Sequence, residues 1–323
     1  MRAVVVEEPG GPEVLRVRET ADPVPGPGEI AVDVAASGVN FIDVYHRSGL
    51  YPLPAPFTPG MEGAGTVSAL GAGVSGLAVG DRVGWVMLPG SYAERAVIPA
   101  DRAVPLPDGV STELAAAALL QGMTAHFLTR TAHTVREGDD VLVHAAAGGM
   151  GLLLTQLVKL HGGRVIGTVS TAEKEAVARA AGADEVIRYT EEPVDTAVRK
   201  LTGGAGVAVV YDGVGAATFD ASLASLRPRG LLAVFGQASG VVPPVELQRL
   251  NAAGSVFLTR PTLAHYIADR AELLTRSREL FEWIRAGRLD VRVNARYPLA
   301  DAGRAHEDLT GRRTTGKSIL LVR

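Results

Sequence analysis

Residues 141–151 read Val-Leu-Val-His-Ala-Ala-Ala-Gly-Gly-Met-Gly, an apolar run that turns abruptly into small residues. Small residues at such a turn let a backbone approach a pyrophosphate closely and let a helix pack tightly on the strand before it. The helix start then offers unpaired N–H groups and the positive end of its dipole to anionic oxygens. Against the pattern G-x-G-x-x-G, Ala146 replaces the first glycine and Gly148 and Gly151 follow. The turn alone is weak evidence. Its place after the first of several alternating strands makes it a dinucleotide site.

The tip of the next strand selects the dinucleotide. It reads Gly167-Thr168-Val169-Ser170-Thr171-Ala172-Glu173-Lys174. A site for NAD carries Asp or Glu there, accepting from the ribose 2′-OH. Here the tip holds Ser170 and Thr171, with Lys174 in the following helical turn, and hydroxyl donors and a lysine bind a 2′-phosphate. In the strand order 3-2-1-4-5-6, Tyr189 at the end of the third strand falls beside the same pocket. The cofactor expected is therefore NADPH. Glu173 is a counter-signal, and Lys174 also reads as a solvated helix charge. Ligands lie across the carboxyl ends of such strands, which nominates Asp212-Gly213-Val214 and Phe235-Gly236-Gln237.

The elements that must position these residues follow from periodicity. From Asp139 onward, continuous apolar runs at 140–145, 164–169, 185–189, 207–212, 231–236 and 255–259 alternate with helical stretches near 150–161, 172–181, 191–202, 217–226 and 245–250. Strands buried on both faces and separated by helices form a doubly wound parallel α/β sheet. Before residue 120 the pattern is short strands with Gly/Pro punctuation, at 3–6, 30–35, 65–69, 82–86 and 95–98. An Ala-rich helix starts at Ser111 or Thr112, and Gly122 separates it from a second helix near 123–131. After Arg260 come helices near 269–286 and 300–310 and strands at 291–296 and 318–322. That tail is too short for a domain and is expected to complete the N-terminal one.

Composition closes other routes. The 323 residues are 47% hydrophobic and 21% charged, enough to bury about two domain cores. A net charge of -3 gives no general attraction to nucleic acid or an anionic membrane. The chain has no cysteine, so thiol nucleophiles, disulfides and Cys-ligated zinc are excluded. That fits a reducing cytoplasm, and the N-terminus has no signal-peptide pattern. Residues 141–158 approach membrane-span length but carry glycines at their centre, as a buried strand–turn–helix would. Residues 311–318 match G-x-x-x-x-G-K-[ST], yet they follow a helix and precede a strand, the reverse of a phosphate-binding loop. His126 and His133 lack a third ligand, Glu307 and Asp308 read as a solvated helix face, and no G-x-S-x-G elbow occurs.

Five segments carry a resemblance over essentially the whole chain. They are Gly38–Pro52 (GVNFIDVYHRSGLYP), Pro59–Gly65 (PGMEGAG), Gly80–Val83 (GDRV), His144–Gly151 (HAAAGGMG) and Thr315–Lys317 (TGK). Together they resemble the medium-chain dehydrogenase/reductase superfamily, specifically its zinc-free quinone oxidoreductase branch, which is zeta-crystallin-like. The resemblance implies a GroES-like catalytic domain over 1–121 and 261–323 and a Rossmann NADPH-binding domain over 122–260. Zinc members place Cys within the stretch matching Phe41–Asp43, and Gly-His-Glu where this chain has Gly60-Met61-Glu62. Without soft ligands there is no Lewis acid, which favours reduction of conjugated carbonyls over alcohol oxidation.

The resemblance also implies site roles. Asn40, Phe41 and Tyr45 line the nicotinamide end, with Phe127 flanking it. Gly149 and Met150 touch the pyrophosphate. Ser170, where relatives can carry glycine, holds the 2′-phosphate with Lys174 and Tyr189. Val214, Phe235 and Gly236 wall the nicotinamide, and Arg312 is a further contact. Tyr45 and then Asn40 are the candidate proton donors. The expected activity is hydride transfer from NADPH to a quinone. The alternatives are an enone or enoyl-thioester reductase, or a non-catalytic NADPH-binding protein of crystallin-like or RNA-binding kind. The apolar strand at 255–259 is an edge that invites pairing with a second copy, so a homodimer is expected.

Overall fold

A computed structural model describes residues 1–322. The chain divides into two compact units, one of 1–123, 266–287 and the residues from 291 onward, the other of 124–265 and 288–290. The first unit opens with β1 (Arg2–Val5), β2 (Arg16–Glu19) and the long β3 (Glu29–Val39), followed by helix α1 (Phe41–Arg47). Strands β4 (Glu62–Leu70), β5 (Arg82–Val86), β6 (Arg95–Pro99) and β7 (Val104–Pro105) lead to α2 (Thr112–Phe127).

Helix α2 corrects the expectation of two helices divided at Gly122. It is continuous and runs on into a single π turn over Leu128–Ala132. Glycine is present at 122 for contact rather than for a break, because a methyl there would meet Leu280 Cδ1 at 2.6 Å. The boundary between units falls inside this helix, between Met123 and Thr124, and again between His265 and Tyr266. From the sequence alone these boundaries are expected after residues 121 and 260.

The second unit alternates β8 (Asp140–Val143), α3 (Gly149–Leu160), β9 (Arg164–Val169), α4 (Ala172–Ala180), β10 (Glu185–Arg188), α5 (Val194–Leu201), β11 (Val207–Asp212), α6 (Phe219–Ser225), β12 (Leu226–Val234), α7 (Leu247–Ala252) and β13 (Phe257–Thr259). All six strands are parallel, in the order β10-β9-β8-β11-β12-β13. This is the expected 3-2-1-4-5-6 winding. Its core is built from Leu142, Ile166, Val210 and Leu232, all fully buried, with helices on the faces supplying Val198 and Leu223. The last strand is shorter than expected. Ser255 takes a left-handed conformation (φ 54°) and Val256 N–H returns to Leu250 O, so extended pairing starts at Phe257.

The tail returns to the first unit. Helices α8 (Leu263–Tyr266) and α9 (Arg270–Arg285) precede β14 (Val293–Pro298), α10 (Ala302–Thr310) and β15 (Lys317–Leu321). Strand β15 pairs antiparallel with β3, with Ser318 opposite Val39 and Leu321 opposite Ala36, and β14 lies parallel to β15. The seven-stranded sheet runs β14-β15-β3-β4-β5-β7, with β6 also on β3. The look-alike segment 311–318 thus joins a helix to a strand. No helix among the described residues is long and apolar enough to cross a membrane.

Candidate active site

The register of β15 on β3 brings Lys317 beside Asn40, the residue that follows β3 and caps α1. Lys317 Nζ donates to Asn40 Oδ1 and to Glu62 Oε2, each at 2.7 Å. Asn40 Nδ2 donates to the same Glu62 oxygen at 2.9 Å, and Gln121 Nε2 donates to Asn40 Oδ1 at 3.2 Å. The other Glu62 oxygen accepts from Leu120 N–H at 2.7 Å. Glu62, Lys317 and Asn40 are all buried. A buried ion pair is tolerated only when its remaining valences are met, and here both carboxylate oxygens and the carboxamide are engaged. The sequence nominates Asn40 but not its partners Glu62, Gln121 and Lys317. The antiparallel register between segments remote in sequence was the missing signal.

Asp43, one turn into α1, accepts from Asn40 N–H at 2.8 Å and Met61 N–H at 2.9 Å. Tyr92 Oη lies 3.3 Å from Asp43 Oδ2 and 3.0 Å from His306 Nε2. Burial pushes the Asp43 carboxyl up from its ordinary 3.8 to about 7, against the pull of its backbone donors. Burial, helped by the Arg47 charge, pushes His306 down from 6.5 to about 3. On the same helix, Phe41 and Tyr45 are tilted rings 6.2 Å apart, and Tyr51 meets Tyr45 edge-on at 5.2 Å. The first unit therefore holds Asn40, Phe41 and Tyr45 together on one helical turn and its cap.

The second unit gathers the expected cofactor residues at the carboxyl ends of its strands. Helix α3 is capped by Gly148, and its first internal bond runs from Leu152 N–H to Gly148 O. The N–H groups of Gly149, Met150 and Gly151 thus lie before the intrahelical ladder, where an anion binds. A methyl on Gly151 would meet Ala145 O at 2.3 Å and Ala146 Cα at 2.6 Å, so only glycine lets this helix sit so close to the strand end. Ser170 follows β9, and Thr171 Oγ1 caps α4 by accepting from Lys174 N–H. Tyr189 N–H pairs with Val169 O and Thr190 Oγ1 donates to Ser170 O, which joins the tips of β9 and β10. Glu173, the counter-signal, is an exposed carboxylate held low by the Thr171 hydroxyl.

Val214 N–H donates to Asp212 Oδ1 at 2.8 Å, and Phe235 and Gly236 N–H both turn back to Asp212 O. Gly236 lies so close to Gly213 that a methyl would meet its carbonyl at 2.5 Å. Val214, Phe235 and Gly236 thus share one corner. Two expectations fare differently. Phe127 is fully buried in the core and offers no surface to a ligand, which removes it from the candidate site. Arg312 sits exposed on the turn after α10, at φ 56°, in the first unit.

Two family models match this chain: the alcohol dehydrogenase GroES-like domain over residues 26–108 and the zinc-binding dehydrogenase over residues 149–272. The donor set does not fit the zinc of that description. The chain has no cysteine, and Glu62 already holds an ammonium group. Among the described residues no three His, Cys, Asp or Glu side chains converge as ligands. A quinone oxidoreductase from Pseudomonas aeruginosa is 47% identical over 97% of both chains. A 2-haloacrylate reductase from a Burkholderia species is 41% identical over 99% of this chain and 98% of its own. The crystal structure of the Escherichia coli quinone oxidoreductase complexed with NADPH is 44% identical, superposes with a TM-score of 0.98 and covers 100% of both chains.

Two expectations test this site. Lys317→Met leaves a buried carboxylate without its cation and should cost about 3–5 kcal/mol in urea unfolding. Pairing it with Glu62→Gln should recover a large part of that loss, and no recovery would mean the pair is not the coupled unit. The second concerns pH. Between 3.8 and about 7 folded Asp43 holds a proton that the unfolded chain releases, so its contribution is present at low pH and is lost as pH rises. Between about 3 and 6.5 folded His306 lacks a proton that the unfolded chain holds, so its contribution grows with pH. The slopes oppose each other. Asp43→Asn should make stability rise more steeply with pH, and His306→Gln should make it fall. Unfolding midpoints that move with pH identically in both variants would contradict these assignments.

Proposed function

We propose that this chain, which belongs to the quinone oxidoreductase branch of the medium-chain dehydrogenase/reductase superfamily, reduces quinones with NADPH and without a metal. The observation carrying this is the β9 tip, where Ser170 and Lys174 stand in place of an acid beside a helix start with open N–H groups. Gly148, Gly149, Met150 and Gly151 would receive the pyrophosphate. Ser170, Lys174 and Tyr189 would receive the 2′-phosphate, and Val214, Phe235 and Gly236 would wall the nicotinamide. By the resemblance, Asn40, Phe41 and Tyr45 would serve the reacting ring and Arg312 would add a contact. NADPH, when bound, supplies the hydride.

The chain's own groups then do the rest. The carboxamide of Asn40 is fixed by Lys317 and Glu62 and so presents one orientation. Hydride addition to a conjugated carbonyl moves an electron pair onto oxygen, which takes a proton from the Tyr45 phenol or from water. Holding the acceptor in place turns a bimolecular transfer into an oriented one. The same chemistry suits an acrylate, and the 41% identity to a 2-haloacrylate reductase favours conjugated acids as a second substrate class. The absence of cysteine fits work in a reducing cytoplasm.

Lys174→Ala should raise the KM for NADPH on the order of tenfold, the worth of one charge-assisted bond, and leave the KM for NADH unchanged. Equal effects on the two coenzymes would remove Lys174 from 2′-phosphate recognition. Turnover with 1,4-benzoquinone against 2-chloroacrylate separates the two substrate classes, and binding without turnover of either would make the protein a cofactor binder only.

The proposed assembly is a homodimer through β13. Among the described residues that strand pairs only with β12, and Phe257 on it is 62% exposed, an apolar edge of the kind that pairs with its twin. Phe257→Arg should shift sedimentation from dimer towards monomer. A wild-type chain sedimenting as a monomer would refute the assembly.

A further inference from the structure

Beneath the carboxyl ends of β8, β9 and β11 lies a chain of buried polar side chains that the proposed hydride transfer does not use. His144 Nδ1 is 3.0 Å from Thr168 Oγ1, and His144 Nε2 is 2.9 Å from Ser222 Oγ. Ser222 Oγ donates to Asp212 Oδ2 at 2.8 Å, as does Thr218 Oγ1 at 2.7 Å. Asp212 Oδ1 accepts from the N–H groups of Val214 and Gly215 at 2.8 and 3.0 Å. At the other end, Thr168 Oγ1 accepts from Ala145 N–H at 3.3 Å. His144, Thr168, Ser222 and Asp212 are all buried.

The protons of this chain have one consistent placement. Ser222 has a single hydroxyl hydrogen and gives it to the Asp212 carboxylate, so it must accept from His144. The imidazole therefore carries its hydrogen on Nε2. Its bare Nδ1 accepts from Thr168, whose oxygen in turn accepts from Ala145 N–H. Burial lowers the proton affinity of His144 and keeps it in this neutral form. The result is a directed relay running from the backbone of one loop to the backbone of another.

Both loops belong to the proposed cofactor site. Ala145 opens the turn to Gly148 and α3 in a left-handed conformation (φ 52°) that is unfavourable for a non-glycine residue. Val214 and Gly215 open the loop after β11. We propose that His144 is a positioning residue: through Thr168 on one side and Ser222 with Asp212 on the other, it holds the pyrophosphate turn and the nicotinamide-wall loop in one mutual arrangement. This rests on the NADPH reading above. The 2′-phosphate end, at Ser170 and Lys174, lies outside the relay.

Calorimetric titration with NADPH and with adenosine 2′-monophosphate, which carries the 2′-phosphate but neither the pyrophosphate nor the nicotinamide, tests it. His144→Leu leaves the hydroxyls on either side without their shared partner. It should weaken NADPH on the order of tenfold or more and leave the monophosphate unchanged. His144→Gln, whose amide accepts from Thr168 and donates to Ser222, should restore most of the NADPH affinity. Should His144→Leu not fold, Ser222→Ala breaks the same relay with a smaller change and carries the same expectation. Unaltered NADPH affinity in the broken relay, or equal loss of both ligands, would overturn the proposal. A wild-type chain that binds neither ligand would overturn the cofactor reading itself, and the relay's role with it.

Discussion

The pairing of the Lys317 ammonium with the Glu62 carboxylate constrains how the first unit closes. Neither charge can stay buried alone, and neither residue is near the other in sequence. They meet only if β15 lies on β3 in one register, because a shift by one residue would turn Lys317 to the opposite face of the sheet. The polar interior therefore enforces the strand order around it. Asn40 benefits directly: its carboxamide oxygen and nitrogen cannot exchange places while a cation sits on one side and a carboxylate on the other.

The second unit solves a different problem with a different device. A doubly wound sheet changes direction where β8 meets β11, and the loops leaving those two strands diverge and open a crevice. Divergent loops need something to hold their spacing. Asp212 satisfies four donors from its own loop and helix, and the imidazole of His144 carries that order across to the turn before α3. Glycines at 151, 213 and 236 then let the backbone come close where side chains would obstruct it.

Much of this was legible in the residues. Continuous apolar runs marked the six parallel strands because both faces of that sheet are covered, and the strand order then placed Tyr189 beside Ser170. The errors have physical causes. Gly122 read as a helix break, but its lack of a side chain serves a neighbour, Leu280, that no local pattern reveals. Ser255 read as strand because it precedes an apolar run, and its left-handed backbone follows from how the chain leaves α7. Phe127 was carried over by resemblance alone, whereas its burial depends on packing. Lys317 was set aside with a phosphate-loop look-alike, since pairing partners remote in sequence leave no trace in spacing.

That last pairing also orders events during synthesis. Glu62 leaves the ribosome 255 residues before its counter-ion. At about 5–20 residues per second the wait is roughly tens of seconds. The stretch from 124 to 265, by contrast, is contiguous and fully made before Lys317 is translated. The nucleotide-type sheet can therefore reach its final form on the nascent chain while the half that holds Asn40 remains open at β3, its acidic interior solvated. That opening closes only when β15 arrives on β3 and brings the Lys317 ammonium to Glu62.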